Sequence, residues 1–313
     1  MNQLLILSPD AEEYARLLAP YALEQLTIHT ASHYTTLDPA QLKAINLVLG
    51  DPPWLVKLLA HLPELQWVQS TFAGVNALCA PQLPRHYQLT NVKAVFGPSM
   101  SEYVFGYILA LERDLLRARM QQQQHRWQPF PYRSLVGLTL GIAGLGDIGQ
   151  HLASTAQHFG MRVKGLKLQA AVVPQVDEVY TVAELSQFLQ ELDYLVITLP
   201  ATTQTQHLFN ATALAQLKTE AVLINVGRGA CVDQVALTQC LKARQLRAAV
   251  LDVFAEEPLA ADDPLWDLEQ VYITPHQAAV SVPADIVKIF VRNYQRFQQG
   301  QPLDYLIDFT RGY

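Results

Sequence analysis

Apolar residues in this chain fall into two patterns: short uninterrupted runs bounded by glycine, proline or polar residues, and longer stretches in which they recur every three or four positions. The first reads as strands buried on both faces, the second as amphipathic helices. Residues 3–7 form such a run, and Asp10 precedes a helical pattern through Tyr14, Leu17, Leu18 and Tyr21. The run 44–49 stops at Gly50-Asp-Pro-Pro53 before the amphipathic stretch 54–62, and 65–68 ends in the polar loop 69–76. A loop leaving the carboxyl end of a parallel strand is where open α/β sheets bind ligands. After a further strand at 89–92, Gly97-Pro98 punctuates the chain, and Ser99 with Glu102 has the S-x-x-E spacing of a capping box. The spacing predicts a long helix with Val104, Tyr107, Ile108, Leu111 and Leu115 on its apolar side, joining two domains, with 121–124 as its solvated tail.

Beyond it, runs at 138–143, 161–166, 194–199, 221–226, 248–253 and 271–274 alternate with helical stretches at 148–159, 182–189, 212–217 and 234–241. Parallel strands require such crossovers, so the pattern predicts an α/β fold with a doubly wound parallel sheet. An amphipathic helix over 286–297 closes the pattern.

Composition narrows the function. The 313 residues suffice for two domains, and half are hydrophobic. With 22 basic and 28 acidic residues interspersed and a net charge of −6, no footprint for a nucleic-acid backbone is present. Three unpatterned cysteines, Cys79, Cys231 and Cys240, indicate neither a disulfide framework nor a metal site. No apolar stretch of transmembrane length and no basic leader segment occurs, so a soluble cytoplasmic protein without a membrane partner is expected.

The strand at 138–143 runs straight into Gly144-Leu-Gly146-Asp-Ile-Gly149 and then a helix. In that context the glycines read as a dinucleotide-binding turn. Gly144 permits the tight turn, Gly146 lets main chain approach a pyrophosphate, and Gly149 lets the helix pack on its strand. The helix N-terminus offers main-chain N–H groups and partial positive charge to phosphate.

Three residues at the carboxyl ends of later strands are candidate catalytic groups. Arg228 stands between Gly227 and Gly229, Glu257 precedes Pro258, and His276 follows Thr274-Pro275. Each has a bland alternative: a surface ion pair, a solvated loop charge, a structural histidine. Together, and at strand ends, they point to chemistry.

The chain resembles the D-isomer-specific 2-hydroxyacid dehydrogenases, in the branch that includes glyoxylate/hydroxypyruvate reductases. The resemblance rests on Phe72-Ala-Gly-Val75, Met100-Ser-Glu-Tyr103, the 144–149 turn, Leu199-Pro200, the segments 224–229 and 251–258, Thr274-Pro-His276 and Arg311-Gly-Tyr313. It implies a Rossmann cofactor domain, residues 99–278, inserted in a smaller flavodoxin-like substrate-binding domain, residues 1–98 completed by 279–313. It further implies a cleft between them and a homodimer. Cofactor contacts are expected at Gly144, Leu145, Gly146, Asp147, Ile148, Gly149, Leu199, Pro200, Val226, Gly227 and Asp252, the last beside the nicotinamide carboxamide. Amides of Ala73, Gly74 and Val75 are expected to hold a substrate carboxylate.

The expected reaction is hydride transfer from NAD(P)H to the carbonyl of a small 2-oxo acid. Arg228 binds the acid, protonated His276 donates to the developing alkoxide, and Glu257 favours the imidazolium and fixes its ring. The acidic residue that would accept ribose hydroxyls about twenty positions past the glycines is absent, and Lys167 stands there. A cation there favours the 2′-phosphate of NADP over NAD. Two other readings stay open: an NAD(H)-binding corepressor-like interaction protein, which would not turn over substrate, and a formate-dehydrogenase-like enzyme, which would need no acid–base pair.

Overall fold

The computed structural model describes residues 1–169 and 171–310. Ala170 and the segment Arg311-Gly-Tyr313 lie outside the described residues. The chain divides into two compact units, one comprising Met1–Val95 and Ser281–Tyr313, the other Phe96–Val280.

In the first unit, strands β1 (Asn2–Leu7), β2 (Leu26–Ala31), β3 (Leu47–Gly50), β4 (Trp67–Ser70) and β5 (Gln88–Thr90) pair in parallel in the order β2-β1-β3-β4-β5. This is the flavodoxin-like order. Helices α1 (Ala11–Leu18), α2 (Pro39–Leu42) and α3 (Pro52–Leu58) are the crossovers. Successive side chains of β1 point to opposite faces, so Leu5 and Leu7 pack with Leu55 and Leu58 of α3 in one apolar core.

The second unit begins with helices α4 (Gly97–Glu112) and α5 (Leu115–Gln123). Its strands are β6 (Thr139–Ala143), β7 (Arg162–Lys167), β8 (Glu178–Thr181), β9 (Tyr194–Ile197), β10 (Val222–Asn225), β11 (Ala248–Leu251) and β12 (Val271–Ile273). Between them run α6 (Asp147–His158), α7 (Leu185–Leu189), α8 (Ala211–Leu214) and α9 (Gln234–Lys242). All seven strands are parallel, in the order β12-β11-β10-β9-β6-β7-β8. That is a doubly wound Rossmann sheet with its switch between β6 and β9. Leu195, Ile197, Leu223 and Leu251 feed a core on one face, while Ile142, Val196, Ile224 and Val250 feed a core on the other. Both faces are covered, which is why these strands read as continuous apolar runs.

Helix α10 (Pro283–Gln298) returns the chain to the first unit, where its Phe290 stacks on Trp67 of β4 at 5.0 Å.

Three local expectations are corrected. Ser99 and Glu102 form no capping box, because α4 starts at Gly97 with Phe96 at its cap and no side-chain cap bond. Pro98 suits the first helical turn, where its missing N–H is not needed. The helix also stops at Glu112 rather than running through Leu115. Asp114 takes a left-handed conformation, φ 50°, that ends one helix and starts the next. Leu115 is therefore on α5, 53% exposed, and 121–124 belongs to the end of that helix. Edge strands β2 and β8 were not expected from the apolar runs, because both are only partly buried and carry polar residues.

Candidate active site

The glycine turn has the geometry its sequence demands. Gly144 sits at φ 106°, and a Cβ on Gly149 would lie 2.0 Å from the Gly144 carbonyl oxygen, so only glycine lets α6 approach β6 this closely. A Cβ on Gly146 would meet nothing within 4 Å, leaving open ground beside the first turn of α6. Asp147 is exposed there, whereas the side chains of Leu145 and Ile148 turn to the core, so those two face a ligand through main chain only. Thr198 ties the turn to β9, donating to the carbonyl of Gly144 at 2.7 Å. Lys167 ends β7 half-exposed, and among the described residues it forms no ion pair.

The loops after β9 and β10 press together. A Cβ on Gly227 would lie 2.8 Å from the carbonyl oxygen of Leu199 and 2.9 Å from its nitrogen. Pro200 is fixed by Thr205, which donates to its carbonyl at 2.6 Å. Val226 is buried, its N–H bonded to Ile197. Asn225 then shapes the turn that presents Arg228: its Oδ1 accepts the N–H of Gly227 at 3.1 Å, and its Nδ2 donates to the carbonyl of Arg228 at 3.1 Å. Sequence reasoning missed Asn225, although an asparagine two residues before a glycine carries the signal of a side chain bonding its own main chain.

Arg228 is partly buried, and burial pulls its pKa below the ordinary arginine value, with the charge of Glu257 acting the other way. Its guanidinium donates to the Gly227 carbonyl at 2.6 Å, and among the described residues it forms no ion pair. A desolvated cation without a counterion is unfavourable unless an anionic ligand supplies one.

Glu257 accepts the main-chain N–H of Phe254 at 3.0 Å on Oε1 and lies 2.8 Å from Nδ1 of His276 through Oε2. A carboxylate only accepts, so Nδ1 carries the proton of that bond and Nε2, which has no partner among the described residues, is left to exchange one with a ligand. His276 is exposed, in a left-handed conformation at φ 52°, its N–H bonded to the carbonyl of Asp252 at 2.9 Å. The structure thus brings Arg228, Glu257 and His276 onto neighbouring loops at the carboxyl edge of one sheet.

Asp252 is placed differently from an open contact residue. It is 1% exposed, and its oxygens already accept from Thr274 at 2.5 Å, from the N–H of Gln277 at 2.8 Å and from the N–H of Ala278 at 3.0 Å.

In the first unit, Ala73, Gly74 and Val75 follow β4. Asn91 donates to the carbonyl of Ala73 at 2.8 Å, and the Ser70 hydroxyl accepts the N–H of Phe72 at 3.0 Å, so the loop is fixed where it leaves β4. Thr71 donates to Asp51 at 2.5 Å; burial pushes the Asp51 carboxyl up while that bond and one from Ser8 oppose it. No group of three or more His, Cys, Asp or Glu residues that could hold a metal occurs among the described residues. No helix among them is long and apolar enough to cross a membrane.

A doubly wound sheet with this glycine turn, and a histidine–carboxylate pair beside a partly buried arginine, define a dinucleotide-dependent oxidoreductase. Residues 105–278 match the family model described as D-isomer specific 2-hydroxyacid dehydrogenase, NAD binding domain. The chain belongs to the D-isomer-specific 2-hydroxyacid dehydrogenase family. It is 34% identical over 267 residues to glyoxylate/hydroxypyruvate reductase A of Yersinia enterocolitica, covering 82% of this chain and 84% of that one. It is similar to a crystal structure of a D-isomer specific 2-hydroxyacid dehydrogenase family protein from Aeromonas salmonicida, with TM-score 0.95 and 45% identity over 98% of this chain and 99% of that one. It is also similar to NADPH-dependent glyoxylate/hydroxypyruvate reductase from Sinorhizobium meliloti in complex with NADP and sulfate. There the TM-score is 0.88 and the identity 29%, over 100% of both chains.

Proposed function

We propose that this protein is an NADPH-dependent reductase of small 2-oxo acids of the glyoxylate and hydroxypyruvate type, giving the D-2-hydroxy acid. The observation that carries the reading is the partly buried, unpaired Arg228 beside a Glu257–His276 pair whose Nε2 is free. A 2-oxo acid supplies what each lacks, an anion for the guanidinium and a carbonyl oxygen for the imidazole.

The residues fit a dinucleotide. The open side of Gly146 and the α6 N-terminus suit the pyrophosphate, Lys167 the 2′-phosphate, and the loops at Leu199, Pro200, Val226 and Gly227 the nicotinamide half. When bound, NADPH supplies the hydride. Arg228 binds and orients the 2-oxo acid through its planar guanidinium. As the carbonyl oxygen gains negative charge, protonated His276 donates from Nε2 and completes the alcohol. Glu257, held by Phe254, fixes the ring so that Nε2 and not Nδ1 faces the substrate. Asp252 serves by holding the loop of His276 beside the nicotinamide carboxamide. Main-chain amides of Ala73, Gly74 and Val75 are the proposed carboxylate binders, a role that rests on the family resemblance and on the anchoring by Asn91.

The acid–base pair favours this reading over a formate-dehydrogenase-like one, where no proton is transferred. We propose that the chain acts in the cytoplasm as a homodimer. Leu115, Leu116 and Met120 on α5 and Trp127 just beyond it are 53%, 55%, 54% and 99% exposed, apolar side chains that association would cover.

A panel of 2-oxo acids assayed with NADPH and NADH tests the function. Glyoxylate and hydroxypyruvate should be reduced, faster with NADPH. Nucleotide binding without turnover of any 2-oxo acid would overturn the reading in favour of an interaction protein.

A further inference from the structure

Asp252 holds both flanks of His276, and a hydroxyl chain from another helix reaches it. Thr274 donates to Asp252 Oδ1 at 2.5 Å, and the hydroxyl of Tyr103, on α4, lies 2.6 Å from Thr274 Oγ1. The single hydroxyl proton of Thr274 is committed to the carboxylate, so Tyr103 is the donor in the outer bond. On the far side of His276 the N–H groups of Gln277 and Ala278 converge on the same carboxylate. The main-chain carbonyl of Asp252 takes the N–H of His276 itself.

Two features make this chain of bonds more than packing. Asp252 forms no ion pair among the described residues, so a carboxylate 1% exposed relies wholly on O–H and N–H donors. His276 has φ 52°, a backbone conformation a non-glycine residue keeps only where its surroundings hold it. Tyr103 is itself braced, edge-on to Tyr107 at 5.0 Å, which packs against Tyr272 of β12 at 5.7 Å. Burial raises the pKa of its phenol, so it stays a donor across the working range.

We propose that Tyr103 is a positioning residue for His276: through Thr274 it completes the donor set of Asp252, which fixes the left-handed turn carrying the imidazole. Tyr103 touches neither substrate nor cofactor in this role. The inference rests on the reading of His276 as the acid only where activity is the readout.

Tyr103→Phe removes the hydroxyl and keeps the ring, Thr274→Val removes the link to Asp252, and Thr274→Ser restores it. In ligand-free protein, hydrogen exchange at the amides of Gln277 and Ala278 should quicken by about 3–10-fold in Tyr103→Phe and more in Thr274→Val. Exchange in β9 and β10 should stay unchanged, and Thr274→Ser should match wild type. With hydroxypyruvate and NADPH, kcat should fall by about 3–10-fold in Tyr103→Phe while KM for NADPH is unaltered. Exchange at Gln277 and Ala278 within twofold of wild type in both Tyr103→Phe and Thr274→Val would overturn the proposal, leaving Tyr103 a packing residue. If the wild type reduces no 2-oxo acid, the functional reading fails while the exchange comparison still decides the role of Tyr103.

Discussion

Glu112 closes α4 with a buried carboxylate, its side chain 1% exposed. Burial alone would raise its pKa. Arg133 opposes this with bonds of 2.7 and 2.8 Å, helped by the Tyr194 hydroxyl and by Arg247 at 2.5 Å, and the carboxyl is held at about 2 instead of 4.5. At about 1.4 kcal/mol per tenfold change in proton affinity, that gap is worth about 3 kcal/mol of folding stability at neutral pH. Because the folded-state value is the lower one, the contribution is complete above about pH 4.5 and is lost as pH falls toward 2. Glu112→Gln mimics the protonated state. Urea unfolding followed by circular dichroism should show the variant about 3 kcal/mol less stable at pH 7, and only about 2 kcal/mol less stable at pH 3.5. A deficit under about 1 kcal/mol at pH 7, or one that does not change with pH, would refute the reasoning.

Arg228→Lys keeps the charge but loses the planar fork, so kcat/KM for 2-oxo acids should fall by roughly 10²-fold or more while NADPH binding persists; activity within a few-fold of wild type would make Arg228 structural. Lys167→Asp should raise KM for NADPH by about tenfold and shift preference toward NADH, and the NADPH advantage of the wild type should shrink as salt is raised. Equal efficiency with both cofactors, unaltered in Lys167→Ala, would withdraw the 2′-phosphate contact.

Much of this fold is legible in the sequence because parallel strands covered on both faces must be apolar throughout: β6, β9, β10 and β11 stand out as unbroken runs. The edge strands β2 and β8 do not, since a half-solvated edge tolerates His29, Glu178 and Thr181, which the apolar-run criterion passes over. Helix ends were the weaker inference. The stop at Glu112 comes from the left-handed turn at Asp114, a backbone conformation that apolar periodicity does not record. The candidate site divides the same way. Gly144 and Gly149 announce themselves because a backbone constraint allows one residue type. Arg228, Glu257 and His276 are visible as strand-end chemistry, but the chain from Tyr103 through Thr274 to Asp252 spans 171 positions of sequence and appears only once the strands are aligned.

The proposed function stands on His276 as the proton donor when a 2-oxo acid is reduced. The most direct measurement is the steady-state rate of hydroxypyruvate reduction by His276→Ala beside the dissociation constant of NADPH for the same variant. The kcat should fall by roughly 10²–10⁴-fold with NADPH affinity nearly unchanged. A variant that turns over at close to the wild-type rate would contradict it.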